Sequence, residues 1–224
     1  HDQIESVYGL LTLAHYRTSP LDLRRLLDAP QQQFYLAQAQ DALLGCVWAA
    51  PEGGMADNTL ICQIRRGERR PRGNLVAQML CFQAGLEDAC ALRSLRISRT
   101  AVQPNWQQQG LGQRLIAQMK QQIKQQNVVD FLSVSFGYTP ELRAFWQKCG
   151  FVLVHFSESK EASSGCYSEV ALCPLSEEGR VFVQRAEKQF QRNLPFSFHP
   201  LATQFARTEI DWTLDCLDWQ LLTN

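Results

Sequence analysis

Residues 99–114 read Arg99-Thr100-Ala101-Val102-Gln103-Pro104-Asn105-Trp106-Gln107-Gln108-Gln109-Gly110-Leu111-Gly112-Gln113-Arg114. Leu95 to Val102 spells a strand, with Leu95, Ile97 and Val102 apolar, and Pro104-Asn105 ends it. A helix follows from Gly110, because Leu111, Leu115, Met119 and Ile123 recur at four-residue steps; that stripe is an ordinary core face. A helix N-terminus carries four unpaired N–H groups and the positive end of the helix dipole. Glycines at 110 and 112 let a ligand come close to that backbone. The strand–turn–helix is therefore an anion site suited to a pyrophosphate. A Walker phosphate loop would need Gly-Lys-Ser/Thr after four spacers, and a dinucleotide fingerprint would need a third glycine; neither is present.

Working outward, Val128 to Phe136 reads as a strand of β-branched and aromatic residues. Thr139-Pro140 opens a helix that Gly150 closes. Phe151 to Phe156 and Cys166 to Leu172 are two further strands. Toward the N-terminus, Ile4, Val7, Leu10, Leu11 and Ala14 have helical spacing, and Ser19-Pro20 starts a second short helix, Leu21 to Leu27, ended by Pro30. Phe34 to Ala39 and Leu43 to Ala50 read as strands joined by Gln40-Asp41-Ala42, with Pro51-Glu52-Gly53-Gly54 breaking the second. Asn74 is the expected cap of a helix from Leu75 to about Leu86. From Ser176 the composition turns acidic, with seven Asp and Glu against five Lys and Arg, and reads as helical pieces broken at Pro195 and Pro200. The expected division is an α/β domain over 1–175, with a basic helical insertion at about 61–94, and a helical appendage over 176–224.

Of the 224 residues, 45% are hydrophobic and 20% charged, which excludes a disordered chain. Lys+Arg and Asp+Glu are both 22, so a uniformly basic nucleic-acid coat is excluded while a local patch is not. Such a patch exists: Arg65, Arg66, Arg69, Arg70 and Arg72 fall within eight residues, in a stretch whose Pro71 and Gly73 suggest a loop. No apolar run reaches the roughly 18 residues that span a bilayer. His1 to Glu5 does not read as a secretory signal, so a cytoplasmic protein without membrane contact is expected. Eight cysteines include no CxxC, the closest pair being Cys166 and Cys173; reduced thiols and no metal site follow. The short glutamine clusters read as solvated surface.

Gln107-x-x-Gly110-x-Gly112 after a strand ending Val102-x-Pro104 resembles the acetyl-CoA motif of the GNAT acetyltransferase superfamily. Phe145-Trp146-Gln147-Lys148-Cys149-Gly150-Phe151 resembles its second signature, a helix that closes with an aromatic and Gly-Phe. Four more stretches narrow the likeness: His15 to Arg24, Arg69 to Val76, Leu132 to Thr139 and Glu161 to Tyr167. They resemble the acetyltransferase module of the bacterial tRNA(Met) cytidine acetyltransferases over roughly residues 5–175. The resemblance implies a mixed, largely antiparallel sheet, split near the acetyl-CoA site, with helices on both faces and a mostly helical C-terminal tail. It implies acetyl transfer from acetyl-CoA to N4 of the wobble cytidine of elongator tRNA(Met), by direct attack in a ternary complex. In that family a helicase-like module, which binds ATP and Mg, lies on the same longer chain. Here no phosphate loop is present and no first strand is found before Ile4, so a piece of a longer protein is expected, a standalone paralogue being the alternative.

By the same resemblance Thr100, Ala101 and Val102 line the pantetheine and thioester, and one of their N–H groups holds the developing oxyanion. Gln107, Gln108, Gln109, Gly110, Leu111, Gly112 and Gln113 wrap the pyrophosphate through backbone N–H groups. Glu141 and Lys148 match acetyl-CoA contacts; seven apart, they share one helix face. Lys148 keeps a charge where the family more often has Arg, without its planar fork. The position where many GNAT enzymes place a proton-donating tyrosine holds Trp146, whose indole N–H is no acid at neutral pH. Tyr138, Tyr167 and His155 are substitutes by residue type alone, and Glu141 is a candidate base through water. No catalytic residue is assigned; positioning and oxyanion stabilisation would dominate. Cys166 reads as a packed strand cysteine, since no base lies beside it in sequence. The five arginines at 65–72 are the best RNA contact, whereas Arg114, Lys120 and Lys124 read as plain surface. Two other functions stay open: a GNAT enzyme acting on a protein or small amine, and a non-catalytic acetyl-CoA- or RNA-binding module.

Overall fold

A computed structural model describes residues 2–14, 24, 31–40, 42–162 and 164–205. Apart from Arg24, the expected short helix at 21–27 lies outside these residues, as does the chain beyond 205. Helix α1 spans Asp2–Ala14 and buries Val7, Leu10 and Leu11, three of the five apolar positions in its periodic pattern. Strands β1 (Gln33–Ala39) and β2 (Ala42–Gly53) follow. Helices α2 (Asn58–Arg65), α3 (Leu75–Ala84) and α4 (Asp88–Ala91) make up the insertion before β3 (Arg93–Val102). Then come α5 (Leu111–Gln126), β4 (Phe131–Gly137), α6 (Pro140–Lys148), β5 (Val152–Lys160), β6 (Tyr167–Pro174), α7 (Glu177–Asn193) and α8 (Ala202–Phe205).

The six strands form one sheet in the order β1-β2-β3-β4-β6-β5. Strands β3 and β4 run parallel, joined by α5 as a crossover; the other neighbouring pairs are antiparallel. Alternation along the strands gives the sheet two buried faces. One faces α5 and α6 through Leu95, Ile97, Val134 and Trp146. On the other, Cys46, Trp48 and Ala101 meet α1, while Phe131, Val170 and Leu172 meet α3 and α7. Phe182, Val183 and Ala186 of α7 thus share a core with β4, β5 and β6.

Two local expectations are corrected. Strand β2 does not break at Pro51 but runs to Gly53, pairing Pro51 with Leu95. The pairing with β1 stops at Gln33↔Ala49, so among the described residues no strand flanks that side of β2 at Pro51, the setting in which a strand accepts proline. Asn74 does not cap α3 with its side chain: it is left-handed (φ 53°), and its Oδ1 accepts from the N–H of Gly53 at 2.7 Å. The cap comes instead from the buried Glu52 carboxylate, which accepts from the N–H groups of Leu75 (2.8 Å), Val76 (2.9 Å) and Ala77 (3.2 Å). Arg96 Nε donates to the same carboxylate at 2.5 Å, compensating its burial.

Candidate active site: a cleft between two parting strands

Strands β3 and β4 pair from Ser94↔Phe131 to Ile97↔Val134, and their pairing ends there. The register gives the cause. Opposite β2, Ile97 faces Ala49 and Arg99 faces Trp48, so Ser98 is an extra residue, a β-bulge at the parting point. Beyond it β3 continues to Val102 on β2 alone, and β4 continues to Gly137 on β6 alone. Between them the edge of β3 that holds Thr100, Ala101 and Val102 has no neighbouring strand among the described residues. Its backbone groups are thus free to bind an extended amide-bearing chain, as a missing strand would. Thr100 Oγ1 is buried, with no hydrogen-bond partner among the described residues.

At the end of this edge lies the glycine turn. Gln107 ties it to the strand, Nε2 donating to the carbonyl of Val102 at 3.0 Å, and Gln109 Nε2 donates to Asn105 O at 2.8 Å. Gln108 (φ 58°) and Gly110 (φ 78°) are left-handed, which curves the backbone into an N–H-lined concavity. Arg114 makes the first bond of the α5 ladder, to Gly110 O at 3.0 Å, so Leu111, Gly112 and Gln113 have no intrahelical acceptor. A Cβ on Gly112 would stand 3.2 Å from Phe145 and 3.6 Å from Val102. Strand end, helix start and α6 therefore meet at one point. Phe145 lies between Glu141 and Lys148 at helical spacing, so that stripe of α6 turns toward the start of α5. Both charged residues are exposed.

The proton-transfer candidates do not converge. Trp146 is buried among Phe136, Phe145 and Phe151, with ring centroids 5.0–6.1 Å away, and is a core residue. His155 lies on β5, which β6 separates from β4, two strand spacings or roughly 10 Å from the cleft-lining strand. Burial, and then His199, press its pKa down to about 4, so it is neutral at pH 7. Tyr167 packs on His199 (4.4 Å) and under Lys160 (5.5 Å). Tyr138 follows the last residue of β4, but its ring meets Phe205 and its hydroxyl donates to Gln204 Oε1 at 3.1 Å, in the C-terminal segment. Cys166 sits in the turn before β6, its thiol toward Ser164 O at 3.6 Å.

Besides Glu52 and Arg96, sequence reasoning passed over a second buried pair. Glu169, in the middle of β6 opposite Phe136, is fully buried and takes a 2.9 Å hydrogen bond from Arg143 of α6. Burial raises its pKa against the opposing pull of that guanidinium. Arg143 also lies 3.7 Å from the Phe205 ring, which meets Tyr138 edge-on. A lone acid inside an apolar strand was the available signal. Lys120, read as plain surface, in fact donates to Cys149 O at 2.8 Å and closes the C-terminal end of α6.

The arginine cluster divides. Arg65 is largely buried and pairs with Glu87 at 3.1 Å. Arg66, Arg69, Arg70 and Arg72 are exposed. Their loop is pinned by Gln78, whose Nε2 donates to Pro71 O (2.7 Å) and Gly73 O (2.6 Å). It leads into α3, whose start is held at Glu52, opposite Ser94. From Ser94 to Val102 the strand runs roughly 25 Å, so the loop is at the closed end of the sheet, away from the cleft. No helix among the described residues is long and apolar enough to cross a membrane.

A sheet split by a bulge, with a glycine turn and helix start at the split, defines an acyl-CoA N-acyltransferase fold, and solved structures agree. The polyamine N-acetyltransferase of Drosophila melanogaster superposes with a TM-score of 0.54 at 16% identity, covering 78% of this chain and 96% of that one. The ribosomal-protein-S18-alanine N-acetyltransferase of Escherichia coli gives 0.52 at 11% identity, covering 78% and 89%. A NatC complex bound to Gag peptide and CoA gives 0.52 at 11%, covering 79% and 92%. The model of the family GNAT acetyltransferase 2 matches residues 6–128 and 119–176, and the chain belongs to that family. Its similar relatives include proteins named tRNA(Met) cytidine acetyltransferase TmcA. That of Haemophilus influenzae is 63% identical over 97% of this chain and 32% of its own length. That of Yersinia pestis is 52% identical over 83% and 26%. The chain thus spans about a third or less of these two relatives.

Proposed function

We infer that the chain transfers the acetyl group of acetyl-CoA to N4 of the wobble cytidine of elongator tRNA(Met). The observation that carries this reading is the 63% identity, along nearly the whole chain, to a protein named tRNA(Met) cytidine acetyltransferase. The cleft geometry supplies the means. The N–H groups of Gln107 to Gln113 would hold the pyrophosphate, aided by the dipole of α5. The free edge at Thr100, Ala101 and Val102 would pair with the pantetheine amides and polarise the thioester carbonyl. Glu141 and Lys148, on the stripe of α6 that carries Phe145, would flank the same entrance. The cytidine amine attacks the carbonyl carbon; the N–C bond forms as the C–S bond breaks. CoA leaves as thiolate and takes up a proton, while N4 loses one. With Trp146 in the core, the general acid is not assigned: Tyr138, Tyr167 and His155 would serve by residue type alone, and Glu141 is the candidate base through water. A nucleotide already unstacked in a loop reaches the cleft at low cost. The rest of the parent chain would supply an ATP- and Mg-using helicase-like module, working in the cytoplasm.

The test is label transfer from acetyl-CoA to unmodified elongator tRNA(Met), with a wobble-cytidine-substituted tRNA as control. Label on the first tRNA alone is the expected result. Equal label on both would overturn the wobble assignment. Label on neither, with acetyl-CoA bound, would reduce this chain to a cofactor-binding module.

A further inference from the structure

Phe82 stands apart on α3. The helix buries Val76, Ala77, Leu80 and Cys81, yet Phe82 keeps 43% of its surface exposed. Its ring is held from two sides. The Arg70 guanidinium lies 5.2 Å from the ring centroid. Gly67, left-handed at φ 75°, comes so close that a Cβ there would stand 2.8 Å from Cε2. The exposed residues Arg66, Arg69 and Arg72 belong to the same pinned loop. An exposed ring alone would suit many partners; a ring under a guanidinium, in a loop of arginines, suits a polyanion with flat faces. We propose that Phe82 and Arg70 form a stacking platform for an unpaired RNA base, with the neighbouring arginines on its flanking phosphates. The base takes the place of the Arg70 guanidinium over the ring, or extends the stack on its outer side. Because the loop is fastened beside Ser94, four residues along β3 or roughly 13 Å from the parting point at Ser98, this base is a different one from the nucleotide that is acetylated. The inference rests on the reading that the chain acts on RNA, and deepens it by naming a second, remote contact.

The experiment measures binding of the chain to a short single-stranded oligoribonucleotide and to the same strand annealed to its complement, across a salt series. Phe82→Leu keeps an apolar side chain and removes the ring; unchanged acetyl-CoA affinity will show that it folds. It should weaken single-strand binding on the order of tenfold, leaving duplex binding and the salt slope unchanged. Replacing Arg66, Arg69 and Arg72 together by Ala should weaken both and flatten the slope. If Phe82→Leu binds the single strand as the parent does while the arginine variant is impaired, the platform is overturned and the RNA reading survives. An equal loss on both RNAs also overturns it, since a duplex offers no free base. Absence of RNA binding by the unaltered chain overturns both.

Discussion

At Gly112 the strand–turn–helix and the distant helix α6 meet through one missing methyl group. A Cβ there would press on Phe145 and Val102, so glycine sets how closely the start of α5 approaches the end of β3. Gly112→Val should therefore lower acetyl-CoA affinity at least tenfold while shifting the melting temperature by only a few degrees. Calorimetric titration checks it; retained affinity would contradict the phosphate-loop role. His155 gives a pH prediction of known sign. Its pKa is about 4 in the folded chain against an ordinary 6.5, lowered first by burial and then by His199. The folded state therefore binds fewer protons than the unfolded one in that range. The contribution is complete above about pH 6.5 and is lost as pH falls toward 4. Urea unfolding should show stability declining across this window, and less so in His155→Leu; parallel curves would remove His155 as the cause.

At the scale of elements, the insertion is fastened to the sheet by one carboxylate. Glu52 caps α3 through three backbone N–H groups and pairs with Arg96 of β3. Glu52→Ala would leave the helix start uncapped and the guanidinium short of its partner. The expected loss is about 3 kcal/mol in denaturant unfolding. A loss under about 1 kcal/mol would mean that water replaces the carboxylate. The same logic ties α7 down: Asp130 accepts from the Arg93 N–H at 2.9 Å and from Ser176 Oγ, the α7 cap, at 3.0 Å. Gly179 follows so closely on the Asp130 carbonyl that a Cβ would lie 1.8 Å from its oxygen.

Across the whole molecule, the cleft and the arginine loop lie at different points along β3. The cleft opens where β3 and β4 part, and the arginine loop is fastened where they begin. Acetyl-CoA binding and the arginine surface should then be separable. The triple substitution of Arg66, Arg69 and Arg72 by Ala is expected to leave the acetyl-CoA dissociation constant within about twofold, since charges roughly 25 Å apart exceed the Debye length at physiological salt. Titration at two ionic strengths checks this, and a large shift would place the loop beside the cofactor. The far edge of the sheet is crossed by the C-terminal segment. Leu194, Leu201 and Ala202 pack on Leu153 and Phe156, bringing Phe205 to Arg143 and Tyr138.

Much of this was legible in the residues themselves. The strand–turn–helix at 95–123 could be read because periodicity, proline and glycine act locally. The helix over 140–148, its Thr139 cap and the closing Gly150 were legible for the same reason. Resemblance of two motifs then pointed to the fold that the sheet order displays. What only the tertiary structure decided are relations between distant segments. The bulge at Ser98 that parts the strands depends on the register with Trp48 and Ala49. Glu52 displaced Asn74 as the helix cap because folding brings a residue more than twenty positions away into reach. Trp146 belongs to the core, His155 to a strand beyond the cleft, and Arg65 to Glu87, because side-chain type states what a group can do, whereas packing decides what it meets.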